Sequence, residues 1–240
     1  MVLNVKPISE MDGCYHTRTA AILGLVAQSA AKCLVGDWAD YTMHNVHLAT
    51  SLTFFWRPEL WHESDHALFA NKLCSHPPDL LVIGKGVHDA VFKSSDFSDQ
   101  DAVFKRLCRL GRDLQCLPVS TLIILLTPTF DDLHPSSSTE FKARHNIAAT
   151  LIRAEAYLQG DVRRHTLILD RYQLTRSYSS GGDTGTRHSS QDGMHYPAIV
   201  NELIRDQIVT VFELRADIAF ASHLGRGRDE TTTTPSKPLV

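Results

Sequence analysis

Three short apolar runs constrain the fold of this chain more than any other feature. They are Asp79-Leu-Leu-Val-Ile-Gly84, Ser120-Thr-Leu-Ile-Ile-Leu-Leu126 and His165-Thr-Leu-Ile-Leu-Asp170. A short run without polar alternation is buried on both faces, as strands of a parallel sheet are. Between the runs lie helical patterns. Asp101 to Gln115 places Val103, Phe104, Leu107, Leu110 and Leu114 on one face, and Phe141 to Leu158 does the same with Ile147, Leu151, Ile152 and Leu158. Strands separated by helices of this length need crossover connections. The expected fold is therefore α/β, a three-layer α/β/α arrangement around a mostly parallel central sheet.

The flanks extend this pattern. Thr17 to Ala31 is expected to be a helix, and Leu52 to Trp56 a strand stopped by Arg57-Pro58. Ser177 to Gln191 reads as a Ser/Gly/Thr-rich loop. A last helix starts at about Pro197 and repeats Ile199, Val200, Leu203, Ile204, Ile208, Val211 and Phe212 at helical spacing. The expected division is an atypical segment over 1–15, a single α/β domain over 16–222 and a disordered tail over 223–240. With 240 residues the chain needs no disulfide or metal staple. Its five cysteines, odd in number and without C-x-x-C spacing, predict no disulfide framework. A net charge of −3 argues against a nucleic-acid footprint. No apolar stretch is long enough to span a bilayer, and Met1 to Gly13, without a basic segment and apolar core, is not expected to be a signal peptide. The compartment stays unassigned, and no cofactor is expected.

In parallel sheets the chemistry sits beyond the carboxyl ends of the strands, which here means after Gly84, Thr127 and Asp170. Gly86-Val-His88-Asp89 follows the first of these. Its glycine permits close backbone approach to a ligand, and Gly86 and His88 can offer N–H groups to a developing oxyanion, although a plain strand-to-helix turn would equally favour Gly and Asp. Asp192-Gly-Met-His195 lies before the last helix. There His195 can act as a general base and Asp192 can hold its tautomer, although an aspartate capping a helix beside a bystander histidine gives the same four residues. His62-Glu-Ser-Asp-His66 matches the zincin spacing, with Glu59 and His76 as the candidates for a third ligand, but with thirteen histidines in the chain and no downstream glycine-histidine pattern the plainer reading is a solvated helix start. Phe54-Phe55-Trp56 is expected in the core and cleft wall. Arg106, Arg109 and Arg112 are expected on a solvated helix face.

In order along the chain, these blocks resemble the SGNH (GDSL-like) hydrolase superfamily, and within it the PC-esterase-like branch of sugar O-acetyltransferases and acyl esterases. Gly86-Val-His88-Asp89 looks like its G-x-N-D block with histidine in place of asparagine. Asp192-Gly-Met-His195-Tyr196 looks like its D-G-x-H-[WY] block, and Leu52 to Pro58 looks like the aromatic strand that precedes the central one. The likeness runs from about residue 16 to 215 and implies an SGNH- or flavodoxin-like sheet. The departure is at the nucleophile block. Where many members carry G-D-S-x-T-R, this chain has Gly13-Cys14-Tyr15-His16-Thr17-Arg18. Tyr15 stands at the serine position and Cys14 at the aspartate. A phenol, with a pKa of about 10, is a poor nucleophile at neutral pH. Residues before about His16 are thus expected not to be the ancestral start of the fold, and sequence upstream of that codon is expected to encode a Gly-Asp-Ser ending.

What the resemblance implies is a hydrolase or transferase of O-acyl (O-acetyl) esters on a small molecule or glycan. His195 and Asp192 would be base and orienting acid, with Gly86 and His88 beside the oxyanion. The alternative is a catalytically inactive member that keeps the cleft for binding or as a scaffold. A zinc hydrolase built on His62 and His66 would instead carry stoichiometric metal.

Overall fold

The computed structural model describes residues 2–4, 41–45, 50–55, 57, 59–131, 133–134, 136–179, 196 and 198–226. The expected helix over 17–31, most of the 177–191 loop and the end of the tail lie outside them. The apolar runs form β4 (Leu80–Gly84), β5 (Leu122–Leu126) and β6 (Thr166–Leu169). These pair in parallel, Leu81 opposite Ile123 and Leu125 opposite Ile168. The α/β class and the parallel sheet under helices are thus present. Three further strands, β1 (Val2–Asn4), β2 (Tyr41–Asn45) and β3 (Thr50–Phe54), extend the sheet in the order β2-β3-β1-β4-β5-β6. β3 is antiparallel to both β1 and β2, and β1 is antiparallel to β4, with Leu3 opposite Leu80 and Val2 opposite Leu81. That antiparallel half is not what the apolar runs indicated.

Period-two alternation sends the strand side chains to two cores. Leu81, Ile83, Ile123 and Leu125 face a helical layer. It comprises α1 (Glu63–Leu68, continued by a π-helical turn over Phe69–Leu73), α2 (Val87–Phe92), α3 (Ser94–Phe97), α4 (Gln100–Leu114), α5 (Thr139–Ile152) and α6 (Ala154–Tyr157). Leu80, Val82, Leu122, Ile124 and Leu126 face the other way, against Ile208, Val211 and Phe212 of the last helix, α8 (Ala198–Arg226). Between β6 and α8 lies α7 (Arg171–Ser179). Each fully buried Leu or Ile contributes roughly 1.5–3 kcal/mol, so these two layers fix where the strand ends lie. No helix among the described residues is long and apolar enough to cross a membrane.

Two sequence readings need correction. The helix expected over 141–158 breaks at Arg153 (φ −82°, ψ 56°), and α6 then packs so closely on α4 that a Cβ on Gly111 would lie 2.4 Å from the Tyr157 carbonyl oxygen. Only glycine permits that approach. Cys74, after the π-helical turn, and Cys116, after α4, form a disulfide across a sequence separation of 42. Their spacing carried no sign of it because the pairing depends on which helix ends meet.

Candidate functional site at the carboxyl edge of the sheet

The turn after β4 is built by Gly86, which caps α2 with φ +94°. A side chain there would be strained by the backbone and would meet the stiff Cγ2 of Ile147 at 2.8 Å. The glycine is therefore demanded by the protein's own packing against α5. His88 follows on α2, half-buried, its ring 5.4 Å from that of the exposed Phe92. Asp89 is buried and accepts the Leu60 backbone N–H. Nearby, Lys85 donates to the buried Asp65 at 2.5 Å, and Asp65 also accepts the His62 N–H. Burial lowers the Lys85 pKa against the pull of Asp65.

Burial also pushes the Asp89 carboxyl up from 3.8 to about 6, although the Leu60 N–H opposes it. A carboxyl raised in the folded state contributes stability that is present below its unfolded pKa and is lost as pH rises through about 6. Two pKa units correspond to about 3 kcal/mol. Asp89→Asn keeps an oxygen for Leu60 and carries no charge. Its stability in urea should gain relative to that of the parent as pH rises from about 4 to 7. Parallel profiles would rule out the assignment.

At the ends of β5 and β6 the strand termini are tied together. Thr127 donates to Asp170 Oδ1 at 3.1 Å and accepts the Tyr172 N–H at 2.7 Å. Arg171 Nε donates to the Thr127 carbonyl at 2.9 Å, and its guanidinium lies 4.0 Å from where a Gly84 Cβ would stand, so it reaches across all three strand ends. Burial and the nearby Arg144 push its pKa down to about 10. A groove of about 540 Å³ between β6 and α8, lined by Leu167, Leu169, Leu203 and Val211, opens beside Asp170.

Beyond β5 the chain carries a polar cluster that the sequence reading did not single out. Asp131 is buried, and its Oδ1 accepts the N–H groups of Leu133 and His134, both at 3.1 Å. His134 Nδ1 lies 2.9 Å from Asp131 Oδ2. Arg144, fully buried on α5, bridges Glu140 at 2.6 Å and lies 3.9 Å from Asp131. The signal was available: Asp131-Asp-Leu-His134 repeats the D-x-x-H spacing of Asp192 to His195 directly after the most strand-like run. Ligand atoms of Asp131, His134 and Glu140 lie within 4.8 Å of one another, the one group among the described residues able to hold a metal. Arg144 already supplies a cation to both carboxylates, so the donor set fits a salt-bridged network better than a dication.

Tyr196, which follows the second D-x-x-H run, is buried. It donates its hydroxyl to the Phe130 carbonyl at 2.8 Å and lies 3.1 Å from Ser179 Oγ. Asp192 and His195, and likewise Gly13, Cys14, Tyr15 and Arg18, lie outside the described residues. His62 and His66 do not form a zinc pair. His62 is the N-cap of α1 in a capping box with Asp65, and His66 Nδ1 is held by Asp113 at 2.7 Å. Arg106 and Arg109 are not simply a solvated face. Arg106 donates to the Trp61 carbonyl at 2.9 Å, Arg109 stacks 4.9 Å over the Trp61 ring, and Trp61 Nε1 donates to Asp113 at 2.7 Å. No protein-family model matches this chain, and no curated protein is significantly similar to it in sequence.

Proposed function

We propose that the carboxyl edge of β4, β5 and β6 is an acyl-ester site of the SGNH type, taking an O-acetyl ester of a sugar or other polyol. In this reading His195 and Asp192 are base and orienting acid, and Gly86 and His88 stand beside the oxyanion. The observation that carries it is the anchor of Tyr196 on Phe130. It ties the residue after His195 to the end of β5, the strand next to the one that Gly86 and His88 follow. Tyr196, about a hundred residues after Gly86 in sequence, thereby lies toward the same edge, where α/β sheets bind ligands.

One observation weighs against a serine enzyme, the alternative to which is a binding module or a site that works without that nucleophile. Because β1 runs antiparallel to β4, the chain leaves Asn4 at the opposite edge from Gly86. The described strand that precedes Tyr15 and pairs with β4 thus does not end at the edge of Gly86. The ester is bound at this edge without a serine acyl-enzyme.

Two measurements test this. Methyl O-acetyl-glucopyranoside should bind more tightly than the deacetylated glycoside, and equal affinity would remove the ester reading. A fluorophosphonate serine-hydrolase probe should leave the chain unlabelled, whereas stoichiometric labelling abolished by His195→Ala would restore the serine route.

A further inference from the structure

We propose that Asp131 and His134 form an acid–base dyad that activates water for hydrolysis of an O-acyl ester at this edge. The proposal rests on the ester site above and adds to it a second base, one that acts on water rather than on a serine.

The dyad is assembled from both ends. The loop after β5 is pinned at Phe130, whose N–H donates to Thr175 Oγ1 at 2.8 Å and whose carbonyl accepts the Tyr196 hydroxyl. Asp131 comes next. Its side chain is 0 % exposed, and the two backbone N–H groups on Oδ1 prevent the carboxylate from turning. Oδ2 is left for His134 Nδ1 at 2.9 Å. An ionised carboxylate only accepts, so the imidazole proton sits on Nδ1 and the lone pair on Nε2. The His134 side chain is 44 % exposed, so that ring can meet a ligand. This is the relation of orienting acid to base that nucleophilic hydrolases use.

Around the ring stand Glu140, with Oε2 3.7 Å from Nδ1, and Arg144, which Glu140 Oε1 engages at 2.6 Å. Arg144 offsets the charge of the two carboxylates, and its Nη1 lies 3.5 Å from Thr129 Oγ1 at the strand end.

The step balances without a cofactor. His134 Nε2 takes a proton from a water as the water oxygen bonds to the ester carbonyl carbon and the π pair moves onto the carbonyl oxygen. When the tetrahedral intermediate collapses, the bond from carbon to the alcohol oxygen breaks. The imidazolium proton then passes to the departing alkoxide. One ester and one water become a carboxylic acid and an alcohol.

The test is turnover of para-nitrophenyl acetate and of methyl O-acetyl-glucopyranoside by the full chain between about pH 6 and 9. His134→Asn and His134→Gln should each lower kcat by about a hundredfold or more, with urea stability retained and no burst phase. Asp131→Asn, a change in a positioning residue, should lower kcat more than it raises KM and move the acid limb of the pH profile. His76→Asn, at an exposed histidine on the far side of the π-helical turn, should leave the rate unchanged. Absence of turnover, or equal turnover in the parent and both His134 variants, would overturn the dyad. Ester binding without turnover would overturn it too, yet leave the ester-site reading intact; loss of ester binding would remove both.

Discussion

Replacing Cys74 and Cys116 together by serine is expected to lower the unfolding free energy by about 4 kcal/mol. The figure follows from the chain entropy that a cross-link across 42 residues removes from the unfolded state. The bond joins the end of the π-helical turn to the end of α4, so it closes the layer that carries Phe69, Leu73 and Leu114. Against a typical total of about 5–15 kcal/mol, the loss is a large fraction. Urea unfolding of the oxidised chain, the dithiothreitol-reduced chain and the double variant measures it. The reduced chain and the double variant should coincide, both well below the oxidised chain. If all three coincide, the two thiols are not paired. A bond of this kind persists in oxidising compartments, so the same measurement on natively isolated protein bears on where the chain resides.

The second large effect is expected at Arg144. Arg144→Met should cost about 3–5 kcal/mol, because it leaves the buried Asp131 and the part-buried Glu140 without their cation. Arg144→Lys should recover only part of this, since an ammonium cannot face both carboxylates with the geometry of a guanidinium. Adding Glu140→Gln to Arg144→Met should return some of the loss and leave the part due to Asp131. Loss of less than about 1 kcal/mol in Arg144→Met would mean that the pair is solvated in the manner of a surface bridge.

The parallel half of the fold was legible because β4, β5 and β6 are buried on both faces and so lack polar alternation. Of the antiparallel half β3 was legible as the run from Leu52, but its edge partner β2 was not. Tyr41-Thr-Met-His-Asn45 is an edge strand, with Thr42 exposed and hydrogen-bonded to Thr53 across the pair, and an edge strand needs no apolar run. The break at Arg153 was hidden because Ile152 and Leu158 continue a helical period through it. The close approach of α6 to Gly111 that the break accompanies is a tertiary contact between segments more than forty residues apart.

At the site, the position of Gly86 was legible and its reason was not. It reads as room for a ligand, whereas the neighbour that requires it is Ile147. His62 and His66 have the spacing of a metal pair but answer to different partners, a helix N-terminus and Asp113. Spacing shows which residues share a helix face, not which neighbour claims them first. The Asp131 to His134 pair was missed for the opposite reason. Its spacing was in view, but its value depends on the burial of Asp131 and on Arg144, neither of which a local pattern reveals.

The proposal that the carboxyl edge is the ester site is tested most directly by following the side-chain resonances of the thirteen histidines during titration with methyl O-acetyl-glucopyranoside. Binding at this edge predicts saturable shifts at His88, His134 and His195, with His62, His66 and His76 unmoved. Saturable shifts confined to His62, His66 or His76, or no shift at His88, His134 and His195 when the ligand binds, would contradict it.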